Sequence, residues 1–139
     1  VIDSATALRW GTLAAFFCLA SCGGPSEPEP APTEAERRGA IVFAKNCAQC
    51  HTVGEGGERA APNLSNVVGR KAGATNFRYS PAFRRANFVW NRQTLDQYLT
   101  DPRGMVPDNQ MAFFGMPDPA ARADLIAYLA RVSAAEAKR

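Results

Sequence analysis

The stretch KNCAQCHTV (45–53) gathers the side chains best able to do chemistry. Cys47 and Cys50 lie one helical turn apart, and His51, the single histidine of the 139 residues, follows directly. Three chemistries use such groups. A structural zinc site takes four Cys or His ligands, and past residue 22 the chain holds only Cys47, Cys50 and His51. A thioredoxin-like dithiol belongs in a βαβ setting, and no strand pattern of useful length surrounds these residues. A Cys47–Cys50 disulfide would constrain almost nothing. C-x-x-C-H is the pattern of covalent haem attachment. Two thiols a turn apart can both form thioethers with one haem's vinyl groups, and the next residue then offers its imidazole to the iron. The motif implies one haem c, attached through Cys47 and Cys50, with His51 on the metal.

With no second histidine, the sixth iron position is left to a methionine, a lysine or no side chain at all. Met105, Met111 and Met116 all fall in segment 101–117. A methionine is often gap filler in a core, the preferred reading for Met105 and Met116. An open sixth position would make a peroxidase or a gas sensor, but such a site wants a histidine or arginine over the distal face, and the chain has no second histidine.

These groups need a frame. Thr33 and Glu36 form a capping box opening a helix with Ala40, Phe43, Ala44 and Cys47 as its inward stripe. Gly39 inside it weakens the helix and so implies a close approach by something bulky. A second helix runs from Arg92 to Thr100, with Asn91 as N-cap, Leu95, Tyr98 and Leu99 on one face, and Pro102 as its stop. A last helix starts at Asp118 and Pro119, repeats Leu125, Tyr128, Leu129 and Val132 at helical spacing, and ends near Lys138 and Arg139, which suit its dipole. Long Gly/Pro/Asn-rich loops, 52–74 and 101–117, lie between. The expected fold is all-α, with loops long enough to wrap a ligand. A core this small gains from a buried prosthetic group.

The front of the chain reads differently. Arg9 precedes WGTLAAFFCLA, eleven apolar residues, which make about 16 Å of helix, half a bilayer core. That suits a signal-peptide h-region better than a transmembrane helix. LASC (19–22) resembles the lipobox of bacterial lipoproteins, which places cleavage before Cys22 and a lipid on its thiol. An ordinary cleaved signal, with Cys22 coincidental, is the alternative. GGPSEPEPAPT (23–33) lacks apolar periodicity and reads as an extended spacer. The organisation expected is a signal over 1–21, a tether over 22–33 and a folded domain over 34–139. Cys18 leaves with the signal, Cys22 takes lipid and Cys47 and Cys50 take haem, so no thiol is left over. The formal charge of +3, without a dense basic run interleaved with aromatics, argues against nucleic acid.

CAQCHTV, GRKAG, YLTDPRGMVPDNQMAFFGM and ADLIAYL closely resemble class I cytochrome c, in the branch of the mitochondrial and bacterial c2 proteins, over about residues 34 to 133. The resemblance implies a small class I cytochrome c fold around one haem and a one-electron carrier rather than an enzyme. It implies Met111, in PDNQMAF, as distal ligand. Pro62 would accept a hydrogen bond from the His51 ring, and Arg70, Tyr79 and Trp90 would bond the haem propionates. Tyr98 would bond the methionine sulfur, Phe113 would flank the exposed haem edge, and Gly39, Phe43, Leu125 and Tyr128 would join the first and last helices.

The partners implied are a quinol:cytochrome c oxidoreductase as donor and a terminal oxidase or reaction centre as acceptor, met by a monomer. With the lipobox likeness, the location expected is the periplasmic side, on a lipid anchor, or soluble there if Cys22 is unmodified. The chain also departs from that family. Asn46, Pro117 and Asp118 stand where lysines ring the haem edge, Arg103 keeps one charge, and Phe83 replaces an interior asparagine. Residues 34–139 still carry fifteen Lys and Arg against ten Asp and Glu, enough to steer toward an acidic partner.

Overall fold

In the computed structural model, which describes residues 29–138, the capping box at Thr33 opens the first helix, α1 (Glu34–Asn46). The Glu36 N–H donates to Thr33 Oγ1 at 3.3 Å and the Thr33 N–H to Glu36 Oε2 at 2.6 Å. A single 3-10 turn (Gly54–Gly56) and four more α-helices follow among the described residues: α2 (Pro81–Arg85), α3 (Arg92–Thr100), α4 (Pro102–Met105) and α5 (Pro119–Glu136). The only pairing of extended backbone among those residues is one antiparallel bridge, Lys71 with Val89. No described helix is long and apolar enough to cross a membrane. The signal and lipid-anchor expectations, with Cys18 and Cys22, lie outside the described residues.

The packing of α1 on α5 organises the domain. A Cβ placed on Gly39 would lie 2.0 Å from the Asp124 carbonyl oxygen and 2.8 Å from Tyr128 Cβ, so only glycine lets the two backbones approach this closely. Phe43 packs on Tyr128 with ring centroids 5.5 Å apart. Arg38 grips Asp124 with two hydrogen bonds, of 2.7 and 2.8 Å. Leu125, 1 % exposed, and Leu129 stand at the centre of the core with Leu95, Tyr98 and Leu99 of α3.

The inward stripe of α1 is narrower than expected. Gly39 and Phe43 are buried and Ala40 is half-buried, but Ala44 is exposed and Cys47 caps the helix instead of extending it. Pro102 does end α3, and it also starts α4, because Asp101 accepts from the Gly104 N–H at 2.9 Å and proline needs no partner at a first helical position. Helix α2 escapes periodicity, being five residues long, though Ser80 and Pro81 are its cap and first residue. Helix α5 closes at Glu136, leaving Lys138 past the end it was expected to complement.

Arg122 of α5 is buried. Its Nε donates to Asp96 at 2.7 Å, and its Nη1 to the carbonyls of Met116 at 2.7 Å and Pro117 at 3.1 Å. It ties α3, α5 and the segment before α5 together. Arg122→Ala strands those acceptors and should cost about 2–4 kcal/mol, read as a lowered denaturant midpoint with an unchanged slope.

Candidate functional site

Between these elements lies a cleft of about 490 Å³. It is walled by Leu64, Val67, Phe83, Leu95, Leu99 and Leu125, and every residue expected to meet a haem also lines it: Cys47, Cys50, His51, Pro62, Arg70, Tyr79, Trp90, Tyr98, Met111 and Phe113. Residues as far apart as 47 and 113 in the chain therefore meet at one surface.

The motif sits where α1 runs out. Cys50 and His51 both donate their backbone N–H to the Cys47 carbonyl, at 3.1 and 2.8 Å, a turn that stacks the three residues. Both thiols are free, Cys47 half-buried and Cys50 exposed. Burial pushes the Cys47 thiol up to about 11. The His51 ring Nδ1 lies 2.8 Å from the Pro62 carbonyl oxygen. A carbonyl only accepts, so Nδ1 carries the proton and Nε2 keeps its lone pair, as metal binding requires. Burial, with the Arg70 charge adding to it against the opposing Pro62 bond, holds the imidazole below its ordinary pKa and so favours its neutral form.

Arg70 and Trp90 reach the cleft together because their strands of backbone pair. The Trp90 N–H donates to Arg70 O at 2.9 Å and the Gly69 N–H to Trp90 O at 2.7 Å. The Arg70 guanidinium donates to Asn63 O at 2.9 Å and retains further N–H groups. Tyr79 and Thr75 hydroxyls lie 2.9 Å apart. Phe83 sits among Tyr79, Trp90 and Tyr98, at centroid distances of 5.7, 6.5 and 5.8 Å. Phe83, read from the sequence as a departure from the family's asparagine, is thus part of an aromatic cluster.

Tyr98 donates its O–H to Met111 Sδ at 3.2 Å. Burial raises the phenol well above its ordinary pKa, which favours the protonated, donating form. Of the other methionines, Met116 is buried in the core and Met105 packs against it, the filler roles expected. Tyr98→Phe should cost about 1 kcal/mol and leave the fold intact, read from denaturant unfolding.

Sequence reasoning missed two of the residues that hold these groups, Asn109 and Asn63. Asn109 is buried, with its amide donating to the carbonyls of Pro102 and Val106, both at 2.9 Å, while its oxygen accepts from the Met111 N–H at 3.0 Å. Asn63 likewise donates to Thr52 Oγ1 and Gly54 O, both at 3.0 Å. The available signal was an amide residue in a Gly/Pro-rich loop, where such side chains replace absent backbone partners.

The residues fit a haem: an apolar cleft for the macrocycle, two thiols beside it, a neutral histidine with its outer nitrogen anchored, and a guanidinium for acidic substituents. An all-α fold around such a cleft, with C-x-x-C-H on its wall, defines a c-type haem protein. A family model described as cytochrome c matches residues 36–133. The chain is 40% identical over 112 residues to cytochrome c of Theileria annulata, covering 78% of this chain and 97% of that one. With cytochrome c of Tetrahymena pyriformis it shares 43% over 110 residues, covering 78% and 100%. With that of Chlamydomonas reinhardtii it shares 42% over 106 residues, covering 75% and 95%.

The chain belongs to the cytochrome c family. Its cofactor is haem c, covalently bound through cysteines, and its function is electron transfer rather than enzymatic catalysis.

Proposed function

We propose that the protein is a membrane-tethered one-electron carrier whose haem would be joined to Cys47 and Cys50 and whose iron would be held by His51 and Met111. It passes electrons from a quinol:cytochrome c oxidoreductase to a terminal oxidase or reaction centre on the periplasmic side. A lipid on Cys22 anchors it, and residues 23–33 act as the spacer. The observation that carries the ligation is that one cleft is lined both by His51, with Nδ1 against Pro62, and by Met111, with its sulfur against Tyr98. Haem c supplies an iron that gains and loses one electron, and His/Met ligation favours a fairly high potential with no open position for substrate.

The chain does the rest by holding still. Pro62 keeps Nε2 directed at the cleft. Tyr98 and Asn109 hold the methionine sulfur and backbone. Arg70, Tyr79 and Trp90 compensate buried carboxylates that would otherwise be costly. Leu64, Val67, Phe83, Leu95 and Leu99 exclude water, so little rearranges when the charge changes. The excess of basic residues over acidic ones in 34–139 steers the protein to acidic partner surfaces.

The first test is an absorption spectrum of the exported protein, oxidised and reduced, with and without carbon monoxide. A haem c spectrum with the weak long-wavelength methionine–iron band and no carbon monoxide uptake is expected. A spectrum lacking that band, with ready uptake, would move the reading to a peroxidase or gas sensor. For the anchor, intact mass of membrane-extracted protein should exceed residues 22–139 plus haem by a lipid; mass without that excess removes the anchor. Deleting 23–33 while keeping Cys22 should slow partner turnover, and unchanged turnover removes the role of the spacer.

A further inference from the structure

Phe114 is 84 % exposed, far beyond Ile41 at 55 % and Val89 at 48 %, the other large apolar side chains left in water among the described residues. A ring this exposed buries little of its surface in the fold, so packing does not account for it. Its placement is also fixed. Phe113 before it lines the cleft, and Gly115 after it has φ +106° and leaves no room for a Cβ, which would lie 2.3 Å from the Thr100 carbonyl oxygen. The next residue, Met116, donates its N–H to Leu99 O at 2.7 Å and is gripped through its carbonyl by Arg122. Phe114 therefore stands on a braced segment, and little order remains to be lost when it is covered.

Above the ring lies a cation. The Arg103 guanidinium is 5.5 Å from the Phe114 centroid, within the range of a cation–π contact. Arg103 is itself exposed and no carboxylate pairs with it among the ion pairs of the described residues. Its planar fork is left to take a carboxylate from elsewhere. Exposed Gln110 and Ala112 line the cleft next to Phe113, so the Phe114–Arg103 pair stands beside the cleft's rim.

We propose that Phe114 and Arg103 form an aromatic–cation anchor for the protein's redox partner: Phe114 enters an apolar pocket and Arg103 meets a carboxylate on that pocket's edge. The proposal rests on the electron-carrier reading and gives it a docking point. Aromatic and arginine side chains dominate binding hot spots, and an aromatic sealed from water outweighs scattered rim charges. In a chain with only three lysines, one such anchor replaces a ring of point charges. A charge-guided contact weakens with salt through its association rate, whereas an aromatic seal persists.

The test uses the full-length haem-loaded protein, reduced, with membrane particles from the cell that makes it as oxidant, over a series of salt concentrations. Phe114→Ala should lower the second-order rate constant about tenfold, and the loss should persist in high salt. Arg103→Gln should lower it less and flatten the salt dependence, with Arg103→Lys recovering only part. Reduction of the oxidised protein by a small uncharged hydroquinone, and the absorption spectrum, should be unchanged in all three variants. Full activity of Phe114→Ala on the membranes overturns the anchor while leaving the carrier intact. Wild type that is reduced by the hydroquinone but not oxidised by the membranes overturns both the partner reading and the anchor. A change in sedimentation from dimer to monomer in Phe114→Ala, with rates unchanged, assigns the ring to self-association and overturns it. Loss of binding to protein-free lipid vesicles, with unchanged oxidation by the detergent-solubilised oxidase, assigns the ring to lipid and likewise overturns it.

Discussion

Met111→Ala should abolish the long-wavelength methionine band, open the iron to carbon monoxide and lower the reduction potential by on the order of 0.1–0.2 V, a modest part of the ~0.8 V that axial ligands command. The frame around Met111 makes this a clean substitution. Its backbone N–H stays bound to Asn109, whose other bonds run to Pro102 and Val106 and do not involve the lost side chain. What is lost is the sulfur, and with it the acceptor for the buried Tyr98 hydroxyl. An unsatisfied hydroxyl adds about 1–3 kcal/mol to the cost of the lost packing. The double variant with Tyr98→Phe should recover part of that stability and none of the band. Met105→Leu and Met116→Leu change volume little, should each cost less than about 1.5 kcal/mol, and should keep the band. A band that survives in Met111→Ala but vanishes in either control would reassign the ligand.

Gly39→Ala should be among the most destabilising single-methyl additions the chain can suffer. A Cβ there would lie 2.0 Å from the Asp124 carbonyl oxygen and 2.6 Å from its carbon. Those are backbone atoms inside α5 and cannot rotate away, so the helices must separate. Separation loosens the Phe43–Tyr128 contact and the Arg38–Asp124 pair, which span the same crossing. Alanine returns about 1 kcal/mol of helix propensity, against an overpacking cost at or above the upper end of the usual 1–3 kcal/mol. The net expectation is a loss of about 2 kcal/mol or more in the denaturant midpoint. Ala40→Gly, next door and half-buried, should cost about 1 kcal/mol from propensity alone and serves as control. An equal or higher midpoint in Gly39→Ala would mean that α1 and α5 do not meet there in solution.

Local chemistry was legible wherever a short stretch carries its own instructions. The capping box at Thr33 and Glu36, the Asn91 cap of α3 and the Asp118–Pro119 start of α5 all act within three residues, and all stand where the sequence placed them. The Cys47–Cys50–His51 motif is legible for the same reason. Helix α2 was not, because five residues make too little of a period to register. Arg122 was not, because an arginine on a helix reads as solvated until the carbonyls and carboxylate that bury it are in place. The exposure of Ala44 is the converse: small and apolar, it matched the inward stripe but lies away from the α1–α5 crossing.

By itself the sequence determined the class of chemistry, a haem held covalently through cysteines, because the attachment motif needs its groups only a turn apart. It also determined where the three main helices start, since caps and first-turn prolines act through neighbouring backbone groups. Tertiary structure decided which groups hold those residues in place. The Pro62 carbonyl at the histidine ring and the Tyr98 hydroxyl at the Met111 sulfur were implied only by the family resemblance. Asn109 holding the Met111 backbone, and Phe83 closing the interior among three other aromatics, came from the structure alone. Those contacts join positions distant in the chain or buried in loops without a period. A hydrogen bond or a packed ring has no signature in composition or spacing, because its energy exists only once both partners have been brought together and water has left.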